Sequence, residues 1–221
     1  MIMEVGEIVK KCGRPLARSF SIDLSEGHAA FAKWLLAALL YAKPMPEDVA
    51  IEAYNIMESH GYVDAASIAA ARSDQLIKIL QKSGFTRYDF STASELHSAF
   101  RDLRNRYGGK LSRLYDESRD SPDLERRIQE LGKGLGPAEL AIFLLGMRDV
   151  WPKANPKPGK KVLELMSRLG IEDLENYAHE HDIDPGKLAI ALCRYAREKA
   201  VRHRLDADRQ WRERYRPARA K

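Results

Sequence analysis

Apolar residues recur at three- and four-residue intervals along almost the whole chain, and glycine or proline interrupts them. Phe31, Trp34, Leu35, Ala38, Leu39 and Ala42 follow this spacing and predict a helix that ends at Lys43-Pro44. Pro46 opens a second helix, through Val49, Ala53 and Ile56 to a stop at Gly61. Asp64 caps a short helix, and Ser73 caps the next, with Leu76, Ile77 and Leu80 inward and Gly84 at its end. A long helix is expected from Tyr88 to Tyr107, with Ala93, Leu96, Phe100 and Leu103 on one face and Gly108-Gly109 beyond it. Pro122 opens DLERRIQEL and Pro137 opens AELAIFLLG. After the Pro-rich connector WPKANPKPGK, helices are expected from Pro158 to Leu169, from Glu172 to His181, and from Asp184 onward. Strand alternation is nearly absent, so the expected class is all-α.

Composition narrows the class of protein. The 221 residues are 44% hydrophobic and 31% charged, enough for one large core or two small ones. No apolar run reaches the ~18 residues that span a bilayer. The best candidate, Phe31 to Ala42, contains Lys33. The opening MIMEVGEIVKKCG lacks signal-peptide anatomy, so a cytoplasmic monomer with no membrane contact is expected. Cys12 and Cys193 are too few for a four-cysteine zinc site or iron–sulfur cluster, and Cys193, in LAIALC, reads as a small core residue. His179 and His181 are two apart and do not share a helix face. No metal and no cofactor are expected.

Charge adds a partner class. The net charge is +5, yet residues 193–221 hold eleven Lys and Arg against four Asp and Glu. A basic tail on a near-neutral body suits a polyanion, with Arg202, Arg204, Arg209 and Arg212 as the expected contacts. A solvated helix end accounts for the same composition.

The stretch LGKGLGPAELAIFLLG, Leu131 to Gly146, joins two of the expected helices. Gly134 and Gly136 free the backbone around Leu135, and the amides before and after Pro137 can face one point. A helix N-terminus attracts an anion, and Lys133 adds positive charge there. Such a turn can grip a DNA backbone without reading its sequence. A plain connector between helices would have the same residues.

Five pieces in order resemble the helix-hairpin-helix DNA glycosylase superfamily, the endonuclease III-like proteins. They are LLAALLYAKP, ILQKSGF, RNRYGGKL with its Tyr-Gly-Gly turn, GKGLGPAELA, and SRLGI with its Arg-Leu-Gly ending. GKGLGPAELA is similar to the family's Leu-Pro-Gly-Val-Gly-x-Lys-Thr-Ala. The resemblance runs from Phe31 to Ile171. It implies a six-helix domain at 26–150, a second helical domain from 1–25 plus 151–221, and a cleft between them that faces double-stranded DNA.

The departures matter as much. The family's lysine nucleophile falls at Ala138, which cannot form a Schiff base. The family's aspartate at the start of the following helix falls near Asn155 or Pro156, where there is no carboxylate; Asn155 could orient water, and Asp149 is the nearest acid before this loop. Glu139 and Glu164 read as surface residues of helices. Where some members insert a glutamine into the duplex, this chain has Leu40 or Tyr41, and Tyr41 could stack on a base. The resemblance therefore implies a DNA-binding base-excision-repair protein, monofunctional if active, that hydrolyses an N-glycosidic bond without lyase chemistry. A catalytically silent damage-recognition protein and a helical protein-interaction module are the alternatives.

Overall fold

The computed structural model describes residues 3–133 and 135–214, with side chains as far as Gln210. Among the described residues there is no strand. The helices are α1 (Val5–Cys12), α2 (Leu16–Ser19), α3 (His28–Ala42), α4 (Glu47–Ser59), α5 (Ala65–Ala70), α6 (Ser73–Lys82), α7 (Asp89–Tyr107), α8 (Leu111–Asp116), α9 (Ser121–Gln129), α10 (Pro137–Met147), α11 (Lys160–Leu169), α12 (Leu174–Glu180) and α13 (Pro185–Arg214). The all-α expectation holds. No helix among the described residues is long and apolar enough to cross a membrane.

Local chemistry sets the helix ends. The Asp64 carboxylate accepts the Ser67 N–H at 2.8 Å, and the Asp64 N–H donates to Ser67 Oγ at 3.3 Å, a reciprocal cap for α5. Asp120 caps α9 through the Asp123 N–H. Gly108 and Gly170 close α7 and α11 in the left-handed conformation, with φ of 63° and 73°. Several starts differ from the sequence expectation by one to three residues. Ser73 is the first residue of α6, not its cap; α11 begins after Gly159; and α12 begins at Leu174, capped by Asp173.

α3 is apolar on every side and is buried from Trp34 to Tyr41 as the central helix. Each fully buried leucine there contributes about 1.5–3 kcal/mol of transfer free energy. α10 lies along α3, and Trp34 Nε1 donates to the Phe143 carbonyl at 2.9 Å. Around this pair the larger core gathers side chains from α4 to α9. A smaller core joins the two chain ends: Ile8 and Cys12 of α1 meet Leu165, Met166, Ala178, Leu188 and Leu192. Leu16, Phe20, Trp151 and Ala154 belong to the larger core, so the two cores do not divide at residues 25 and 151.

The exit from α10 is fixed. Trp151 is buried and stacks on Tyr115 at 4.8 Å between ring centroids. Lys153 Nζ donates to the carbonyls of Tyr115 and Ser118 at 2.8 and 2.5 Å, and so holds the connector against the end of α8. α13 is tied down by two arginines. Arg194 donates to the Cys12 and Arg14 carbonyls, and Arg197 donates to the carbonyls of Tyr41, Lys43 and Met45 at 2.8, 3.0 and 2.6 Å.

Candidate functional site

The residues of the expected hairpin form α9, a seven-residue connection and α10. Gly134 lies outside the described residues. Lys133 is exposed. Leu135, expected to face DNA, instead buries its side chain in the larger core, and its N–H donates to the Gln129 carbonyl at 2.8 Å. An apolar side chain between two glycines gains more from the core than from solvent, and it pins the turn. Gly136 precedes α10 with φ −69°, a conformation open to any residue. The strained glycine is Gly132, with φ 67° and its N–H donating to Asp102 Oδ2 at 3.0 Å. Ala138 is exposed at the second position of α10. The N–H groups of Gly136 and Ala138 find no partner among the described residues, as expected for a helix N-terminus.

A charged cluster adjoins this N-terminus. Lys43, at the end of α3, reaches Glu95 of α7 at 2.5 Å and Glu139 of α10 at 2.9 Å. All three side chains are less than a fifth exposed, which corrects the surface reading of Glu139. Burial pushes the Glu95 carboxyl above its ordinary range, against the pull of Lys43. The sequence signal was present: a glutamate three residues past the Gly136 cap is placed to fold back over the helix start, and its carboxylate lies beside the Gly136 Cα. One lysine between two carboxylates neutralises half of their charge where a phosphate would have to approach.

α13 brings three places together along one face. Cys193, Arg197 and Arg204 stand four and seven residues apart. Arg197 lies over the Tyr41 ring at 3.9 Å, and Arg204 lies 5.6 Å over the Tyr88 ring, beside an Arg87–Asp208 ion pair at 2.7 Å. Tyr41 is fully buried, so it is a core residue and not a stacking surface for a base. Desolvation raises its hydroxyl above the usual tyrosine range. Arg202 and Arg209 are exposed, whereas the Arg212 side chain lies outside the described residues. Of the basic residues at this end, Arg194 and Arg197 are thus spent on internal carbonyls.

Near Cys193, a cavity of about 410 Å³ opens between the two cores. Ala141 and Leu145 of α10 form one wall, Val162 and Met166 of α11 another, and Asn155 and Gly159 of the connector line it as well. Ala141 and Leu145 continue the stripe of α10 that starts at Ala138. Desolvation pushes the Cys193 thiol up to about 11, so at neutral pH it is an apolar wall and not a nucleophile. The resemblance put the family's aspartate near Asn155 or Pro156 at the start of the following helix; Asn155 instead lies five residues before the first residue of α11, whose cap is Gly159. Asp149 is exposed in a separate cleft with Lys10, Arg14, Asp184 and Lys187. The buried turn at Trp151 separates Asp149 from Asn155, and the two do not share a site. No protein-family model, curated protein or solved structure matches this chain.

Proposed function

We propose that the chain binds duplex DNA through its hairpin and the exposed arginines of α13, and hydrolyses the N-glycosidic bond of a base turned out into the cavity beside Cys193. The carrying observation is the cavity itself. About 410 Å³, mostly apolar walls and a few polar groups suit one nucleobase, and its α10 wall continues the stripe of the hairpin's second helix. The resemblance to helix-hairpin-helix glycosylases agrees with that position. Ala138 stands where the family's lysine nucleophile would be, so the proposed chemistry is simple hydrolysis and not the family's Schiff-base lyase step.

A second reading, recognition without catalysis, is favoured by Gly159 at the cap of α11, which leaves that point without a carboxylate. One experiment separates the two. The native chain is incubated with duplexes that each carry one altered base, such as uracil, hypoxanthine, 8-oxoguanine or 3-methyladenine, and alkali then reveals abasic sites. Strand breaks only after alkali support hydrolysis; tight binding without breaks supports recognition. Absence of binding defeats both.

A further inference from the structure

The charges that line the cavity are sorted by element. Its acids, Glu172, Asp173 and Glu175, belong to the turn before α12 and to the start of that helix. Its lysine, Lys157, belongs to the connector. Residues 150–163 contain four lysines and no Asp or Glu. Lys153 is spent on the carbonyls of Tyr115 and Ser118. Lys157, Lys160 and Lys161 are exposed.

Lys160 and Lys161 are the first two residues of α11, and its first turn carries no acid. A helix start already bears partial positive charge, so two lysines there oppose the helix dipole in the free protein. A phosphate bound at the same place relieves that repulsion. Helical periodicity separates the two lysines. Lys160 stands three residues before Leu163 and shares its side of the helix, whereas Lys161 stands two before it and does not. Leu163 lines the cavity and is still 52% exposed. The lip of the cavity therefore combines an uncovered apolar side chain with two exposed lysines.

On the reading of the cavity given above, we infer that Lys157, Lys160 and Leu163 hold the backbone of the nucleotide whose base enters it. A nucleotide turned out of a duplex stays joined to its strand, so its sugar and phosphates must cross the mouth of the pocket that takes the base. The phosphates meet the two ammonium groups and the start of α11, and the sugar lies on Leu163. Exposure is what such a contact requires, since a backbone reaches the lip and not the interior. The three acids on the α12 side repel the same phosphates, although Glu175 is partly neutralised by Arg148. The strand therefore enters along the connector. These contacts add affinity and position, and they read no base.

The test is the salt dependence of duplex affinity for the full chain, on a duplex with one mismatched base pair and on its fully paired counterpart. A mismatch lowers the cost of turning a base out. Lys160→Ala is expected to flatten the log–log slope by about one unit, and Lys157→Ala with Lys160→Ala by about two. Lys161→Ala removes the same charge from the other side of α11 and should keep the native slope. These variants should melt no lower than the native chain, because each removes a cation from the start of a helix. Leu163→Asn should keep the slope and reduce the preference for the mismatched duplex about fivefold; an unchanged preference would overturn its part. If the native chain binds and the double variant keeps the native slope, the lip falls while DNA binding stands. If Lys161→Ala flattens the slope as far as Lys160→Ala, only the net charge is felt and the lip falls as well. If the native chain binds neither duplex, the inference and the proposed function fall together.

Discussion

Gly146 of α10 lies directly against the indole of Trp34: a Cβ built on Gly146 would stand 2.5 Å from Trp34 Cε2 and 2.7 Å from Nε1. Real Cβ atoms do not come so close to an aromatic ring. The two most apolar helices therefore approach at a point where only hydrogen fits, and Trp34 uses that closeness to donate to the Phe143 carbonyl. Gly146→Ala must move the indole or part the helices. A loss of about 1–3 kcal/mol is expected, the usual cost of overpacking a core. Urea unfolding followed by helical circular dichroism would measure it, and an unchanged midpoint would show that the interface yields without cost.

The hairpin glycines should respond differently from one another. At Gly132, φ is 67° and an added Cβ would stand 2.7 Å from the Ala99 backbone nitrogen. Neither the backbone angle nor the neighbouring helix can adjust cheaply, so Gly132→Ala should destabilise by about 2–4 kcal/mol. At Gly136 the backbone is extended and the nearest atom is the flexible end of Glu139. Gly136→Ala should cost less than about 1 kcal/mol. Thermal melts of the two variants side by side give the comparison, and equal losses would contradict the hairpin geometry.

What the sequence revealed follows from the range of the forces involved. α3 and α10 were legible because a helix of mostly apolar residues has few other fates, and Gly61, Gly84 and Gly108 marked ends through local backbone freedom. α8 was not, because six residues carry too few turns to show a period, and it is placed by the burial of Leu111 and Leu114. Arg194 and Arg197 looked like surface charge because their partners are backbone carbonyls more than 150 residues away. Asn155 was named only because the family's aspartate would fall near it, and it lines the cavity.

Acid should loosen the first helix of the hairpin. The Arg126 guanidinium holds the Asp123 carboxyl well below the usual carboxylate range, with help from the Arg119 N–H and from Arg127. A depressed folded value means that this stabilisation is complete above the unfolded carboxyl's ordinary value of ~3.9 and is lost as pH falls through the lower folded value. Asp123→Asn removes the titrating group. The native chain should lose more stability than the variant between about pH 6 and about pH 3. Urea midpoints at the two pH values report it; equal losses would mean that Asp123 titrates alike in both states.

The exposed charges can be separated from the structural ones by salt. Lys133, Arg202 and Arg209 are exposed, whereas Arg197 is spent on three carbonyls at the end of α3. Each phosphate contact releases about 0.9 of a counterion, so log affinity falls with log salt by about that slope per contact. Arg202→Ala with Arg209→Ala should flatten the slope by about two units, and Lys133→Ala by about one more, with helical circular dichroism unchanged. Arg197→Ala should instead unfold at lower urea, by about 2–4 kcal/mol, because three carbonyls that it serves lose a charged donor. Its salt slope, measured on protein still folded, should match the native chain. If the triple variant keeps the native slope, neither the hairpin nor α13 contacts the duplex backbone, and the DNA-binding reading loses its electrostatic basis.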